Sequence, residues 1–301
     1  LTADPSSGEL IMSMQLFETE SGDYRNARYL AKACDLAYFD EAQARPLFQL
    51  ELGLDAKLVS VDNTQVYVAK DDKNLVVVFR GSQSPDSIDG FKDWLLTNAN
   101  NYLILPEGEL GTDFAAAGVG ARFHLGYMGA LAEIWEPLFA AVNAAQSESE
   151  RLLWVTGHSL GGGLALLAAW RFQRQFLAVH EIYTFGAPMV GNAAAAEAFH
   201  EAFPGKIHRF VDCLDVVPLL PTVSLVANTY GHCLEEHELG DESNAEGGPA
   251  NKVMVGMAAS TVDGLLHATI IDEIWGHFHR RIASHMMANY QSQIAAKCQD
   301  R

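Results

Sequence analysis

At 301 residues, with 49% hydrophobic and 19% charged residues, the chain can bury one large core and is too apolar to be disordered. Its formal net charge of -18 argues against nucleic acid as a partner and against electrostatic docking on anionic lipid. That charge does not exclude an uncharged ester or lipid substrate, which apolar contact would hold.

Residues 1–22 carry little pattern. Residues 23–39 repeat with a period near 3.6 and predict an amphipathic helix. Its stripe of Ala27, Leu30, Ala31, Cys34 and Tyr38 makes Cys34 a core thiol. Strands are predicted at Lys57–Val61, Gln65–Ala69 and Leu75–Phe79. The last, LVVVF, is an unbroken apolar run, as expected of a strand covered on both faces. The turn-rich stretch FRGSQSPDSIDG follows. Residues 123–145 predict a helix. Leu152–Thr156 predicts a strand that runs through GHSLGGG into a helix ending near Phe176. Further strands are predicted at Glu181–Phe185 and Ile207–Val211, each followed by turn residues, GAPMVGN and DVVPLLP.

Strands alternating with helices imply a largely parallel sheet flanked by helices. With no internal repeat or linker, residues 1–301 read as a single α/β domain. The polar stretch 235–251 reads as a surface excursion, and 252–275 as one or two helices packed on the sheet or over the site. No apolar run approaches the ~20 residues needed to span a bilayer. The chain begins at Leu1 with no signal-like segment, which fits a mature or trimmed form. It leaves a soluble protein's compartment open between secreted and cytoplasmic. The four cysteines, Cys34, Cys213, Cys233 and Cys298, are scattered. They form neither a metal motif nor a disulfide framework, although a Cys213–Cys233 bridge is conceivable.

The most informative stretch is LLWVTGHSLGGGLALLAAW. Gly157, His158, Ser159, Leu160 and Gly161 form G-x-S-x-G between an apolar strand and a helical pattern. In so tight a turn bulky neighbours would clash. The glycines relieve that and hold the serine Oγ out at the end of the sheet. Gly162 and Gly163 would let the helix start close to the strands, and the helix N-terminus favours negative charge beside Ser159. Ser159 is therefore the candidate nucleophile. His158 reads as a packing residue behind it rather than as the base.

A series of segments in order resembles the fungal-type class-three lipase family of the α/β-hydrolase superfamily, over roughly residues 60–290. LVVVFRGSQS is similar to the family's strand and oxyanion loop, and Asp93–Trp94 to the pair that follows. FHLGYMGAL is similar to a helix start in the family, and GHSLGG to its elbow. FGAPMVGN and DVVPLLP resemble the two strand ends that complete the site. The resemblance implies an α/β-hydrolase fold with a lid-like loop after the oxyanion strand. It implies that the backbone N–H of Ser82, with its hydroxyl, acts with the N–H of Leu160 as the oxyanion hole. It also implies that Trp94 and His232 line the site, His232 lying in Tyr230-Gly231-His232. A tetrahedral intermediate needs such preorganised donors, each worth ~2.7–4 kcal/mol.

In this fold class the chain order is serine, acid, histidine. Order alone admits Asp212 and Asp215 as the acid. It admits His232, His237, His267, His277, His279 and His285 as the base. The family pattern D-x-V-P favours Asp215, and a late histidine before an aromatic favours His285, which precedes Tyr290; His277 or His279 in WGHFHRR is the alternative. His232, Cys233 and His237 do not have a metal-site spacing, nor do His277 and His279, so no metal and no cofactor is expected.

The function implied is acyl transfer to water. The protein would be a triacylglycerol lipase or carboxylesterase acting on an ester or lipid substrate, with transient contact at a lipid interface. A phospholipase, a galactolipase, an acyltransferase and a non-catalytic lipid-binding protein are the other readings. In the candidate lid, residues 83–94, Asp86, Asp89 and Asp93 outweigh the plainly apolar Ile88 and Phe91, a composition that predicts weak interfacial activation.

Overall fold

Three consecutive strands open the main sheet in the computed structural model, which describes residues 14–81, 103–219, 230–233, 235–240 and 282–299. They are β1 (Asp55–Val61), β2 (Thr64–Lys70) and β3 (Asn74–Phe79), and each is antiparallel to the next. The turn joining β1 to β2 holds Asp62 at a φ of 48°, a left-handed conformation that aspartate tolerates better than most side chains.

The chain then switches to parallel pairing. Strands β6 (Leu152–His158), β7 (Val179–Phe185), β9 (Ile207–Asp212) and β11 (Glu236–Leu239) add in turn beside β3. The sheet order is β1-β2-β3-β6-β7-β9-β11. Two-residue strands β4 (Leu103–Ile104), β5 (Phe123–His124), β8 (Gly191–Asn192) and β10 (Tyr230–Gly231) form a small antiparallel sheet.

Alternation within the strands divides the core in two. Leu75, Val77 and Phe79 of β3 pack with Leu153 and Val155 of β6 on one face, whereas Val76, Val78 and Trp154 pack on the other. The first face is covered by α3 (Gly108–Ala115), α4 (Leu125–Glu148), α5 (Leu160–Arg174) and α6 (Ala193–Ala202). The second is covered by α1 (Tyr24–Leu36), α2 (Glu41–Leu47) and, after the short α7 (Ile282–His285), α8 (Met287–Gln299). Residues 75–79 are at most 1% exposed, so LVVVF is the doubly covered strand its composition predicts.

Local chemistry starts the helices. Asp23 caps α1 by accepting from Arg25 N, and Asn192 caps α6 by accepting from Ala195 N at 3.0 Å. At α4 the cap is the imidazole of His124, which accepts from Gly126 N at 3.1 Å. A side-chain acceptor satisfies amides that have no partner within the helix.

The excursion expected at 235–251 needs correction at its start. Glu236–Leu239 is the seventh strand, parallel to β9, and Leu239 is buried. The acidic composition concealed it, because an edge strand buries only part of its length while its other side chains stay solvated. Residues 241–251 lie outside the described residues, as do the helices expected at 252–275. Cys34 and Cys233 are free thiols, and Cys34 is buried as expected. Among the described residues no helix is long and apolar enough to cross a membrane.

Candidate active site

The parallel strands end together at one edge of the sheet, and the site is built there. The connection from β6 to α5 is one residue long, and that residue is Ser159. Its φ of 56° and ψ of -129° are strained for a side chain with a Cβ, as a strand-to-helix reversal without a loop demands. Two backbone bonds hold the strain: Ser159 N donates to Phe185 O at 2.9 Å, and Gly162 N donates to Ser159 O at 3.0 Å.

The surrounding glycines answer to specific neighbours. A Cβ on Gly157 would strike the carbonyl of Gly161, and one on Gly161 would strike the carbonyl of Phe79 at the end of β3. Gly162 faces Ala187 and Thr184 beyond and on β7. Gly163 does not serve the strands as expected; it makes room for the Tyr127 ring of α4.

His285 stands at the end of α7 and is 5% exposed. Its Nε2 lies 2.9 Å from Ser159 Oγ, and its Nδ1 lies 2.7 Å from Asp215 Oδ2. With Nδ1 as the donor to the carboxylate, Nε2 is the lone-pair nitrogen that accepts the serine proton. Asp215 Oδ2 also accepts from the Tyr290 hydroxyl at 2.8 Å, and Oδ1 accepts from Val217 N at 2.9 Å. Three donors thus satisfy a 5%-exposed carboxylate, as burial of an anion requires. Burial, reinforced by Asp215, pushes the Tyr290 phenol well up, so it stays a donor.

Asp212, the alternative acid, turns elsewhere. It accepts from Leu214 N at 2.7 Å and from Asn289 Nδ2 at 2.6 Å, and bonds the Gln293 amide. It anchors α8 to the end of β9 and has no bond to the His285 ring among these. His277 and His279, the alternative bases, lie outside the described residues, as do Ser82, Trp94 and the candidate lid 83–94. Leu160, the other expected oxyanion donor, is the first residue of α5, where backbone amides have no partner within the helix. Gly81, just before Ser82, lies so close to the elbow that a Cβ there would meet the His158 carbonyl at 2.7 Å and Ser159 Cβ at 3.3 Å.

His232 bonds through Nε2 to the carbonyl of Pro218, in the turn Val217–Leu219 that follows Asp215. Burial, with Arg209 nearby, pushes its imidazole down to about 3. It is a neutral strut beneath the acid's turn. His158 bonds away from Ser159, through Nδ1 to the Tyr38 hydroxyl at 2.6 Å and through Nε2 to the backbone carbonyl of His285 at 2.7 Å. Among the described residues no group of three His, Cys, Asp or Glu side chains could hold a metal.

Three residues that matter here escaped the sequence reading. Tyr290 served only as the aromatic that follows the late histidine, but its hydroxyl bonds the acid itself. Tyr38 fitted an apolar stripe, yet its hydroxyl reaches the elbow. Gly186, in FGAPMVGN, has a φ of +57°, and a Cβ there would meet Asp215 Oδ2 at 2.8 Å, Tyr290 OH at 2.9 Å and His285 Cε1 at 3.2 Å. The signal for it in the sequence is a glycine directly after an apolar strand, within a segment that resembles a strand end of the family's site. Gly186→Ala is expected to lose about 1–3 kcal/mol of stability, through left-handed strain and overpacking, and to lower ester hydrolysis. Thermal denaturation together with initial rates checks both effects.

The family model described as Lipase (class 3) matches residues 76–225. A secreted mono- and diacylglycerol lipase 1 of Fusarium solani is 30% identical over 259 residues, covering 81% of this chain and 70% of the relative. A secreted mono- and diacylglycerol lipase 3 of Gibberella zeae is 34% identical over 133 residues, but the match spans 42% of this chain and only 40% of that protein's length. Among solved structures, the native propeptide complex of Rhizomucor miehei lipase aligns with a TM-score of 0.55 and 25% identity, over 80% of this chain and 79% of that one. The Lip2 lipase of Yarrowia lipolytica aligns with a TM-score of 0.58 at 21% identity, over 76% and 83%, and is similar in fold. The central sheet, mostly parallel and flanked by helices, is that of the α/β hydrolases.

Proposed function

The chain belongs to the class 3 lipase family, and from that premise we propose that it hydrolyses acylglycerol esters through an acyl-enzyme on Ser159. The observation that carries the reading is His285, which bridges Ser159 Oγ at 2.9 Å and Asp215 Oδ2 at 2.7 Å. His285 Nε2 takes the serine proton as Oγ attacks the ester carbonyl. The N–H groups of Leu160 and Ser82 receive the developing oxyanion. Asp215, held by Tyr290 and Val217 N, fixes the His285 tautomer and stabilises the imidazolium. That imidazolium then protonates the departing alcohol. Water, activated by the same nitrogen, attacks the acyl-serine and frees the acid. These steps need no cofactor.

The relatives' names, secreted mono- and diacylglycerol lipases, support small uncharged glycerides as substrates and a secreted protein. The polar composition of 83–94 supports weak interfacial activation, because a flap carrying Asp86, Asp89 and Asp93 gains little by meeting lipid.

Initial rates on p-nitrophenyl esters of increasing chain length, and on mono-, di- and tributyrin across their solubility limits, test the reading. Appreciable turnover of dissolved short esters is expected, with no sharp jump at the limit. A sharp jump that is lost when Ile88 and Phe91 become serine would overturn the reading of the lid. Absence of hydrolysis on every ester would overturn the activity.

A further inference from the structure

The bond between His158 and the backbone of His285 answers a local defect in the chain. The helical segment that carries His285 is interrupted. α7 ends at His285, α8 begins at Met287, and Met286 between them is half exposed. Across the break Asn289 N donates to Met286 O at 2.9 Å, not to the carbonyl of His285. The His285 carbonyl stands at the break itself, on the last residue of α7. His158 Nε2 sits 2.7 Å from it.

The protonation pattern of the His158 ring follows from its two neighbours. A carbonyl oxygen only accepts, so Nε2 carries the hydrogen. Nδ1 is then the acceptor for the Tyr38 hydroxyl at 2.6 Å. Tyr38 is itself held, since Arg80 donates to its backbone carbonyl at 2.8 Å. Gly81 leaves the space its hydroxyl occupies, because a Cβ there would collide with that oxygen. Burial, and repulsion from His285, keep the His158 imidazole well below its usual pKa. A charge there would oppose the imidazolium that forms on a ring whose centroid is 4.7 Å away.

We propose that His158 and Tyr38 are a positioning pair for the base: His158, its tautomer set by Tyr38, holds the His285 backbone so that Nε2 stays in register with Ser159 Oγ. His158 and Ser159 are consecutive residues. The base is therefore referenced twice to one rigid elbow, through its side chain and through its main chain. Misplacement of a reacting group by about 1 Å can cost roughly a hundredfold in rate, and the break at Met286 is where such slack would arise.

The inference rests on Ser159 and His285 as nucleophile and base. His158→Phe keeps a ring but removes the donor. His158→Gln places an amide nitrogen close to where Nε2 lies. On a dissolved p-nitrophenyl ester, His158→Phe is expected to lower kcat by about 30–100-fold with KM nearly constant, and His158→Gln to recover most of that loss. Equal thermal midpoints in the two variants would separate positioning from bulk stability. A kcat for His158→Phe within about threefold of wild type, or a glutamine variant as slow as the phenylalanine one, would overturn the proposal. Should His158→Phe fail to fold, Tyr38→Phe carries the test. Its kcat is expected to fall by several-fold at constant KM, and wild-type kcat in that variant would overturn the pairing. Ser159→Ala, run beside them, tells the two failures apart. If it remains active the triad reading falls. If it is inactive while His158→Phe turns over normally, only the positioning role falls.

Discussion

Ser159→Ala is expected to lower kcat on a soluble ester by about 10⁵–10⁶-fold, the loss that follows when a nucleophile and its base act as one unit. Two features make the expected loss specific to chemistry. The serine is 4% exposed, and its hydroxyl lies against His285 Nε2 at 2.9 Å. Removing one small oxygen leaves the bonds from Ser159 N to Phe185 O and from Gly162 N to Ser159 O in place. Alanine has the same Cβ, so the strain at a φ of 56° is the same in both proteins. The thermal midpoint is therefore expected to stay within roughly 3 °C, the equivalent of about 1 kcal/mol in a chain of this size. An organophosphate should label Ser159 in the wild type and leave the variant unlabelled. Turnover near the wild-type rate in the variant would refute the nucleophile.

Asp215→Asn is expected to be the next most severe change, lowering kcat by about 10⁴-fold. The carboxylate accepts from His285 Nδ1, Tyr290 OH and Val217 N. An asparagine can keep some of these bonds. Its amide, however, can donate toward His285 Nδ1, which favours the tautomer with hydrogen on Nε2 and removes the lone pair that must take the serine proton. Geometry would be largely kept and chemistry lost. Asp212→Asn is the matched control. Asp212 is 2% exposed and bonds Leu214 N, Asn289 and Gln293, so its loss acts on the attachment of α8. A cost of about 1–3 kcal/mol in stability is expected, with kcat within about tenfold of wild type, a shift of at most ~1.4 kcal/mol in the barrier. If Asp212→Asn were the inactive variant and Asp215→Asn the active one, the assignment of the acid would be reversed.

The sequence by itself determined the parts of this molecule that depend on neighbours in the chain. LVVVF reads as a strand covered on both faces because every side chain in it is apolar, and each is at most 1% exposed. G-x-S-x-G reads as an elbow because only glycine tolerates the backbone contacts at positions 157 and 161. The family's D-x-V-P pattern and its late histidine before an aromatic then favour Asp215 and His285, and the fold brings Asp215 and Ser159 to the two sides of the His285 imidazole.

What only the tertiary structure decided is who meets whom among residues far apart in the chain. Asp212 and Asp215 are three positions apart and chemically the same. The end of β9 at Asp212 leaves Asp212 facing α8 and sends Asp215 on through a turn to His285. Tyr38 and His158, 120 residues apart, fit an apolar stripe and a motif filler in the sequence. They form one hydrogen-bonded chain because α1 packs against β6. Glu236–Leu239 is a strand because β9 offers it a free edge. Hydrophobic period and steric need are local properties that a sequence displays directly. The partner of a buried polar group is fixed by sheet register and helix placement, and the cost of leaving that group unpaired is what makes the pairing definite.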